Sequence, residues 1–411
     1  IYIMILSKSI IINNLNDLVL ENIDIELQES DDYSKPFING DYKNQLNKIK
    51  DEVCNYKNWD TYRKIFTSLL FLNFYDNKQN IGVYKKKVLS RSYFKMIEIQ
   101  NDYNILQGYE KKNIKVCFIA EAPGGFIEAF YKLRNNKDDS YYGISLLEDN
   151  DNIPCWYNLK KKLKQDNLHL LSGYDKTGDI YKLINMLNMI NEIGENSCEI
   201  VTADGGFDFT KDYINQEYNF MRLFLCEVIL ALKLQKINGV FIIKCFDITN
   251  ILNLKLFYIL CHLYEKVIIT KLKTSRQTNS ERYIICKRLK YNLNNNIIKQ
   301  IYKIILNWDN IIENKYINDI FNFTIDKTFL DKIDLYNSWF FEKQLDIFNY
   351  IYHLNNNINN KLVSSIIKQY IENNIENTIY FCKLNKLYIN YESYFLTTHI
   401  NDIIKTFFNL E

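Results

Sequence analysis

Five short apolar runs, at 116–120, 141–146, 168–171, 200–203 and 240–245, alternate with stretches of helical period at 127–133, 180–193 and 213–235. This alternation constrains the chain more than any other feature, because it closes naturally as parallel strands joined by crossover helices, a doubly wound α/β sheet. A further helical stretch at 247–264 leads to an apolar run at 267–272. The link from there to the apolar run at 282–286 is too short for a helix, so those two strands are antiparallel neighbours. The expectation is a mostly parallel, seven-stranded sheet whose last strand is reversed.

In an open α/β sheet, ligands bind beyond the carboxyl ends of the strands. The run at 200–203 stops at Asp204, and Gly205 and Gly206 allow a sharp exit close to a ligand. Lys244 lies near the end of the run at 240–245, and Glu281 stands just before the reversed last strand, which begins on the same edge. Three ionisable groups from three strands therefore meet at one crevice. A plain strand-to-helix turn with a capping Asp, or a structural ion-pair cluster, would leave the same trace.

The first turn after a strand is Gly-rich: Glu121, Ala122, Pro123, Gly124, Gly125 and Phe126. It lacks G-x-G-x-x-G, and no G-x-x-x-x-G-K-[ST] occurs in the chain, so dinucleotide and P-loop readings are weak. Small residues here suit a nucleoside without a pyrophosphate, such as S-adenosylmethionine, whose aminocarboxylate can meet backbone N–H groups. Asp175 and Asp179, past the third strand, stand where an adenine amino group needs an acceptor. Either could equally cap a helix, and capping suits Asp179 better.

Composition narrows the classes. At 411 residues and 47% hydrophobic, the chain can bury a large core and is globular. A formal charge of +2 means that a nucleic-acid partner must be held by a local basic surface. Nine cysteines without a C-x-x-C pair read as small core residues, implying a reducing compartment and no zinc site. No apolar run approaches the roughly 18 residues that span a bilayer, so the expectation is a soluble intracellular protein of cytoplasm or nucleus, or of a virion or viral factory. The four histidines sit in apolar contexts and read as core. Residues 1–43 show no clear period and read as an N-terminal extension to a domain at 44–290. Within that domain, residues 44–72 have helical spacing, with Trp59, Tyr62, Ile65 and Leu69 on a face suited to packing on the sheet. Beyond residue 290 the chain turns rich in Asn, Ile, Lys and Tyr and reads as a helical appendage over 291–411, a candidate partner surface.

Taken together, SRSYFK at 90–95, EAPGGF at 121–126, TGDI at 177–180, ADGGFDF at 203–209, NQE at 215–217, FIIKCFD at 241–247 and SRQTNSERYIICK at 275–287 resemble the FtsJ-like ribose 2′-O-methyltransferases. The likeness covers about residues 84–290 and is strongest to the branch that modifies the first nucleotides of capped mRNA. It implies a Rossmann-like methyltransferase fold, S-adenosylmethionine as cofactor, no metal, and a Lys-Asp-Lys-Glu tetrad falling on Lys95, Asp204, Lys244 and Glu281. Lys244 would serve as a positioned base, helped by burial and the second ammonium of Lys95. The resemblance also implies that Gln216 and Asn279 stand near the leading nucleotides, and makes the capping or transcription machinery the expected partner of the 291–411 surface. Lys85, Lys87, Arg91 and Arg276, with Lys271 and Lys273, lie in segments feeding the same edge and are expected to meet RNA phosphates. An enzyme acting on ribosomal or transfer RNA is the alternative within the class. A non-catalytic RNA-binding or scaffold subunit is the alternative outside it.

Overall fold

The computed structural model describes residues 9–12, 23–32, 35–76, 79–147, 155–163, 166–207, 212, 214–313, 315–356 and 361–408. Tyr213 at the head of the expected helix, Asp208 and Phe209 of the ADGGFDF stretch, and residues 357–360 lie outside them.

The centre is a sheet of eight strands in the order Ser9–Ile12, Tyr264–Thr270, Arg282–Leu289, Gln235–Cys245, Cys198–Ala203, Lys115–Ile119, Ser140–Ile144 and Leu168–Leu171. Four adjacent pairings, from Gln235–Cys245 out to Leu168–Leu171, are parallel. Arg282–Leu289 is antiparallel to both its neighbours, as expected, and sits between them and not at the edge. The eighth strand, Ser9–Ile12, was not expected: only four residues pair, with 267–270, too few to show a period in the sequence.

The two faces of the sheet are covered differently. Helices Leu183–Ile193, Gln216–Leu234 and Ile251–Leu263 bury Val201, Ala203, Phe241 and Ile243 on one side. Ile251–Leu263 is apolar nearly all round because it is itself covered by the strand Tyr316–Asn322, which pairs with Asp24–Ser30. Helices Ser92–Tyr103 and Gly125–Arg134 cover the other side, over Val116, Phe118 and Ile242.

Residues 44–72 form helices Gly40–Val53 and Trp59–Ile65 and a 3-10 turn at Leu70–Leu72. Their aromatic face packs on the C-terminal helices Lys327–Asn356 and Lys361–Leu384, not on the sheet, whose face is already occupied. Trp59 stacks on Phe348 at 5.8 Å between centroids, and Phe66 meets Tyr370 at 4.9 Å. Asn374 seals the contact, donating to the carbonyl of Thr67 and accepting from the amide of Leu70. The cysteines are free, and those of the strands are buried. Of the histidines only His262 is buried; His169, His353 and His399 are exposed, because their apolar neighbours face inward and they do not.

Candidate active site

Strand register assembles the site. Ala203 pairs with Ile243, so Asp204, one residue on, comes alongside Lys244. On the other flank Lys244 pairs with Tyr283. Lys244 Nζ donates to the carbonyl of Asp204 at 2.8 Å and stands 3.5 Å from its Oδ1. Tyr283 donates its phenol to the same Oδ1 at 2.7 Å. Gly206 leaves the space above the amine open: a Cβ there would lie 2.8 Å from Lys244 Nζ.

Lys95, in the first turn of the helix Ser92–Tyr103, reaches Glu281 from above. Its ammonium lies 2.8 Å from both carboxylate oxygens, and Ser275 donates to Oε1 at 2.6 Å. Burial would push Glu281 up, but the ammonium groups of Lys95, Lys244 and Lys271 outweigh it and hold the carboxyl well below its usual range. Burial would likewise lower Lys95, and the charges of Glu281 and Asp204 more than offset that, so Lys95 stays protonated. Lys95 Nζ also sits 5.6 Å from the Tyr283 ring centroid, so Tyr283 stands between the two pairs. The four side chains expected at the crevice are thus brought together as two ion pairs.

Asp204, Lys244 and Glu281 line a cavity of about 1120 Å³, just above the roughly 300–1,000 Å³ usual for ligand sites. One end is walled by Ala120, Ala122, Ser145, Gly178, Asp179 and Tyr181. Here the backbone is shaped around small residues. Gly178 has φ +67°, and a Cβ would fall 1.9 Å from the Ser145 carbonyl oxygen. Gly124 has φ +103° and abuts Leu159. Gly125 admits the start of the Ser92–Tyr103 helix, whose Ser90 and Ser92 hydroxyls would strike any side chain. Of the six residues expected to hold a cofactor in this turn, only Ala122 faces the cavity; Glu121 is buried, accepting from the amide of Phe126 at 2.8 Å.

Asp175 is not on the cavity wall. It folds its own loop, accepting from Thr177 and Asn185 and pairing with Lys182 at 2.7 Å, while Asp179 takes the wall position. Arg91 does not face phosphate either. Its guanidinium donates to the carbonyls of Thr274, Leu70, Ser68 and Leu69, so it ties the 68–70 turn to Thr274 and has little left for phosphate. Burial lowers it to about 10. Lys271 is buried and donates to Asn279 and to the Glu281 carbonyl, so it fixes the turn that carries Glu281. Gln216, Arg276 and Asn279 do line the cavity. Lys85 and Lys87 do not: they are exposed on a loop bonded to Tyr388 and Asn390.

Tyr283, Ser275 and the buried role of Lys271 were missed. A signal existed for Tyr283, since a residue two beyond Glu281 on a strand shares its face. None existed for Lys50, Trp59, Arg63 and Phe348, which also line the cavity from helices far away in sequence.

A mostly parallel sheet with one inserted antiparallel strand, and a cavity over its carboxyl edge, defines a methyltransferase of Rossmann-like fold. Residues 88–289 match the family described as FtsJ-like methyltransferase, so this chain carries an FtsJ-like methyltransferase domain. The chain is similar to cap-specific mRNA (nucleoside-2′-O-)-methyltransferase 1 of Trypanosoma brucei brucei, with 30% identity over 41% of this chain and 45% of that one. The Trypanosoma cruzi protein of the same name is 31% identical over 43% and 48%, and the human one 32% over 42% and 21%. The chain thus spans less than half the length of each of these curated relatives. FtsJ-like methyltransferases depend on S-adenosylmethionine, and the small-residue end of the cavity, with the Asp179 carboxylate in its wall, fits such a nucleoside.

Proposed function

We propose that this protein transfers a methyl group from S-adenosylmethionine to a ribose 2′-hydroxyl of RNA, at the first transcribed nucleotide of capped mRNA. What carries the reading is the pair of ion pairs, Lys244 with Asp204 and Lys95 with Glu281, meeting at one cavity beside a wall of small residues. The names of the similar proteins favour the capped substrate.

Bound in the cavity, the cofactor would supply an electrophilic methyl on sulfonium. The residues of this chain do the rest. A 2′-hydroxyl is a poor nucleophile, and Lys244, oriented by the Asp204 carbonyl and carboxylate, is the group placed to take its proton as the neutral amine, once its ammonium has released a proton to solvent. Lys95 remains charged and offsets the negative charge that develops on oxygen. Tyr283 holds the Asp204 carboxylate, and Ser275 holds Glu281, so both pairs are fixed before substrate arrives. Alignment of hydroxyl and methyl provides most of the acceleration, for which well-oriented groups supply roughly 7–11 kcal/mol.

Lys244→Ala is expected to abolish transfer, a loss of at least about 10²-fold, while calorimetry still detects cofactor binding. Near-normal turnover in that variant would remove Lys244 from the role of base.

A further inference from the structure

Asp204 orients Lys244 through its carboxylate and its main-chain carbonyl, and the two are secured differently. Tyr283 holds the carboxylate, donating to Oδ1 at 2.7 Å. The carbonyl, which accepts from Lys244 Nζ at 2.8 Å, belongs to the peptide that joins Asp204 to Gly205. That peptide lies past the end of the strand Cys198–Ala203, and glycine takes either sign of φ at little cost, so backbone sterics alone do not stop it turning over. A reversed peptide would aim an N–H at the ammonium, which has only donors, in place of the carbonyl oxygen.

The other end of the same peptide is held from below. The Gly205 N–H donates at 3.2 Å to Oε1 of Glu227, on the helix Gln216–Leu234. Glu227 is fully buried and does not line the cavity. The fit is close, since a Cβ at position 205 would stand 2.3 Å from Glu227 Oε1 and 2.9 Å from Leu223. Helix packing alone needs no acid here: Leu223 and Leu230, one turn to either side, are buried and apolar. The second oxygen, Oε2, is buried without a hydrogen-bond partner among the described residues, a costly arrangement for a residue that only fills space. Burial pushes the Glu227 carboxyl well up; of the charges acting on it, Lys244 pulls it down most and Asp204 adds to the rise.

We infer that Glu227 is a positioning residue for the proposed transfer: by accepting from the Gly205 amide it fixes the peptide whose carbonyl aims Lys244. Buried acid, peptide and base then form one chain of hydrogen bonds, whose members polarise one another. The inference rests on the reading of Lys244 as the base; the chain of hydrogen bonds does not. The role needs an acceptor oxygen at the right reach, which either protonation state of the carboxyl supplies.

The test uses the full chain as wild type, Glu227→Gln, Glu227→Met and Glu227→Asp. It reads kcat on capped RNA, cofactor affinity by calorimetry, and the rate at which acetic anhydride labels Lys244 relative to the exposed Lys85, by mass spectrometry. Gln keeps an acceptor at the same reach and is expected to hold kcat within about threefold of wild type. Met fills the space without an oxygen, and Asp draws the oxygen back by one methylene. Each should lower kcat about tenfold or more, as a misaimed reacting group does, and label Lys244 faster, while cofactor affinity stays within about twofold. If one of them fails to fold, the other carries the test. Wild-type kcat with wild-type labelling in a folded Met or Asp variant would make Glu227 a structural residue and overturn the inference, as would a loss in Gln equal to that in Met. A wild type unable to methylate RNA would strike the proposed function alone, and the labelling of Lys244 would still decide the role of Glu227.

Discussion

At the scale of residues, the two pairs at the cavity respond differently to change. Tyr283 gives Asp204 a buried hydrogen bond, so Tyr283→Phe should cost about 1 kcal/mol of stability and lower turnover more than it lowers cofactor affinity. Unaltered turnover would show that the phenol does not position Asp204. Glu281 is held below its ordinary range, so its contribution to folding is complete above about pH 4.3 and begins to drain away below it, as pH falls toward the depressed native value. Glu281→Gln breaks one side of a buried pair and should lose roughly 3–5 kcal/mol at neutral pH. Denaturation measured from pH 7 to pH 3 should show that difference shrinking; a constant difference would contradict the ion-pair account. The convergence of Asp204, Lys244 and Glu281 was legible in the sequence because all three stand at or beside strand ends on one edge of the sheet, whereas Lys95, on the helix Ser92–Tyr103, was placed there by the resemblance alone. Arg91 and Asp175 were not, since a charged side chain near a site reads the same whether it faces ligand or clasps its own loops. Arg91 meets carbonyls from two segments distant from it in sequence, 68–70 and Thr274, a fact that only the folded loops reveal.

At the scale of elements, the site depends on turns that tolerate no side chain. The 172–178 turn is tied by the Gly178 amide to Ser172 and by the Thr177 carbonyl to Leu147, both at 2.7 Å. Gly178→Ala would force a Cβ against the Ser145 backbone in a left-handed conformation, strain worth about 1–3 kcal/mol. The chain cannot retreat without opening the cofactor end of the cavity. Cofactor affinity should fall about tenfold or more, read by calorimetry, and wild-type affinity would mean that this turn is not part of the cofactor wall. The strands and their crossover helices were readable from period alone. The helical face at 59–69 was also readable, but not its partner. An amphipathic stripe declares that it is buried and not against what, and here the partner lies about 300 residues on, in the Lys327–Asn356 and Lys361–Leu384 helices.

At the scale of the whole molecule, the C-terminal helices are bound into the site's foundations. Arg282, next to Glu281 and fully buried, donates to Asn337 Oδ1 at 2.7 Å and to the Asp247 carbonyl, and lies 4.4 Å from the Phe340 ring centroid. Asn337 in turn donates to the Ile248 carbonyl at 3.0 Å. On the N-terminal side, Lys43 pairs with Glu217 at 2.9 Å, and Glu217 accepts from Thr249 and Asn250. Scanning calorimetry should therefore show a single cooperative transition, lowered by Asn337→Leu, which removes one of the acceptors of Arg282. Two separable transitions would mean that the flanks fold independently of the central sheet. With a formal charge of only +2, the RNA substrate of the proposed reaction would have to be drawn by local basic surfaces such as the exposed Lys85–Lys87 loop, not by the chain as a whole.

The most direct test of the account is transfer of labelled methyl from S-adenosylmethionine to a capped RNA, compared with the same RNA carrying a 2′-deoxyribose at its first transcribed nucleotide. The tetrad at the cavity predicts label on the ribose of that nucleotide in the first RNA and none there in the second. Equal labelling of both RNAs would show that the acceptor is not that 2′-hydroxyl, and would contradict the central claim.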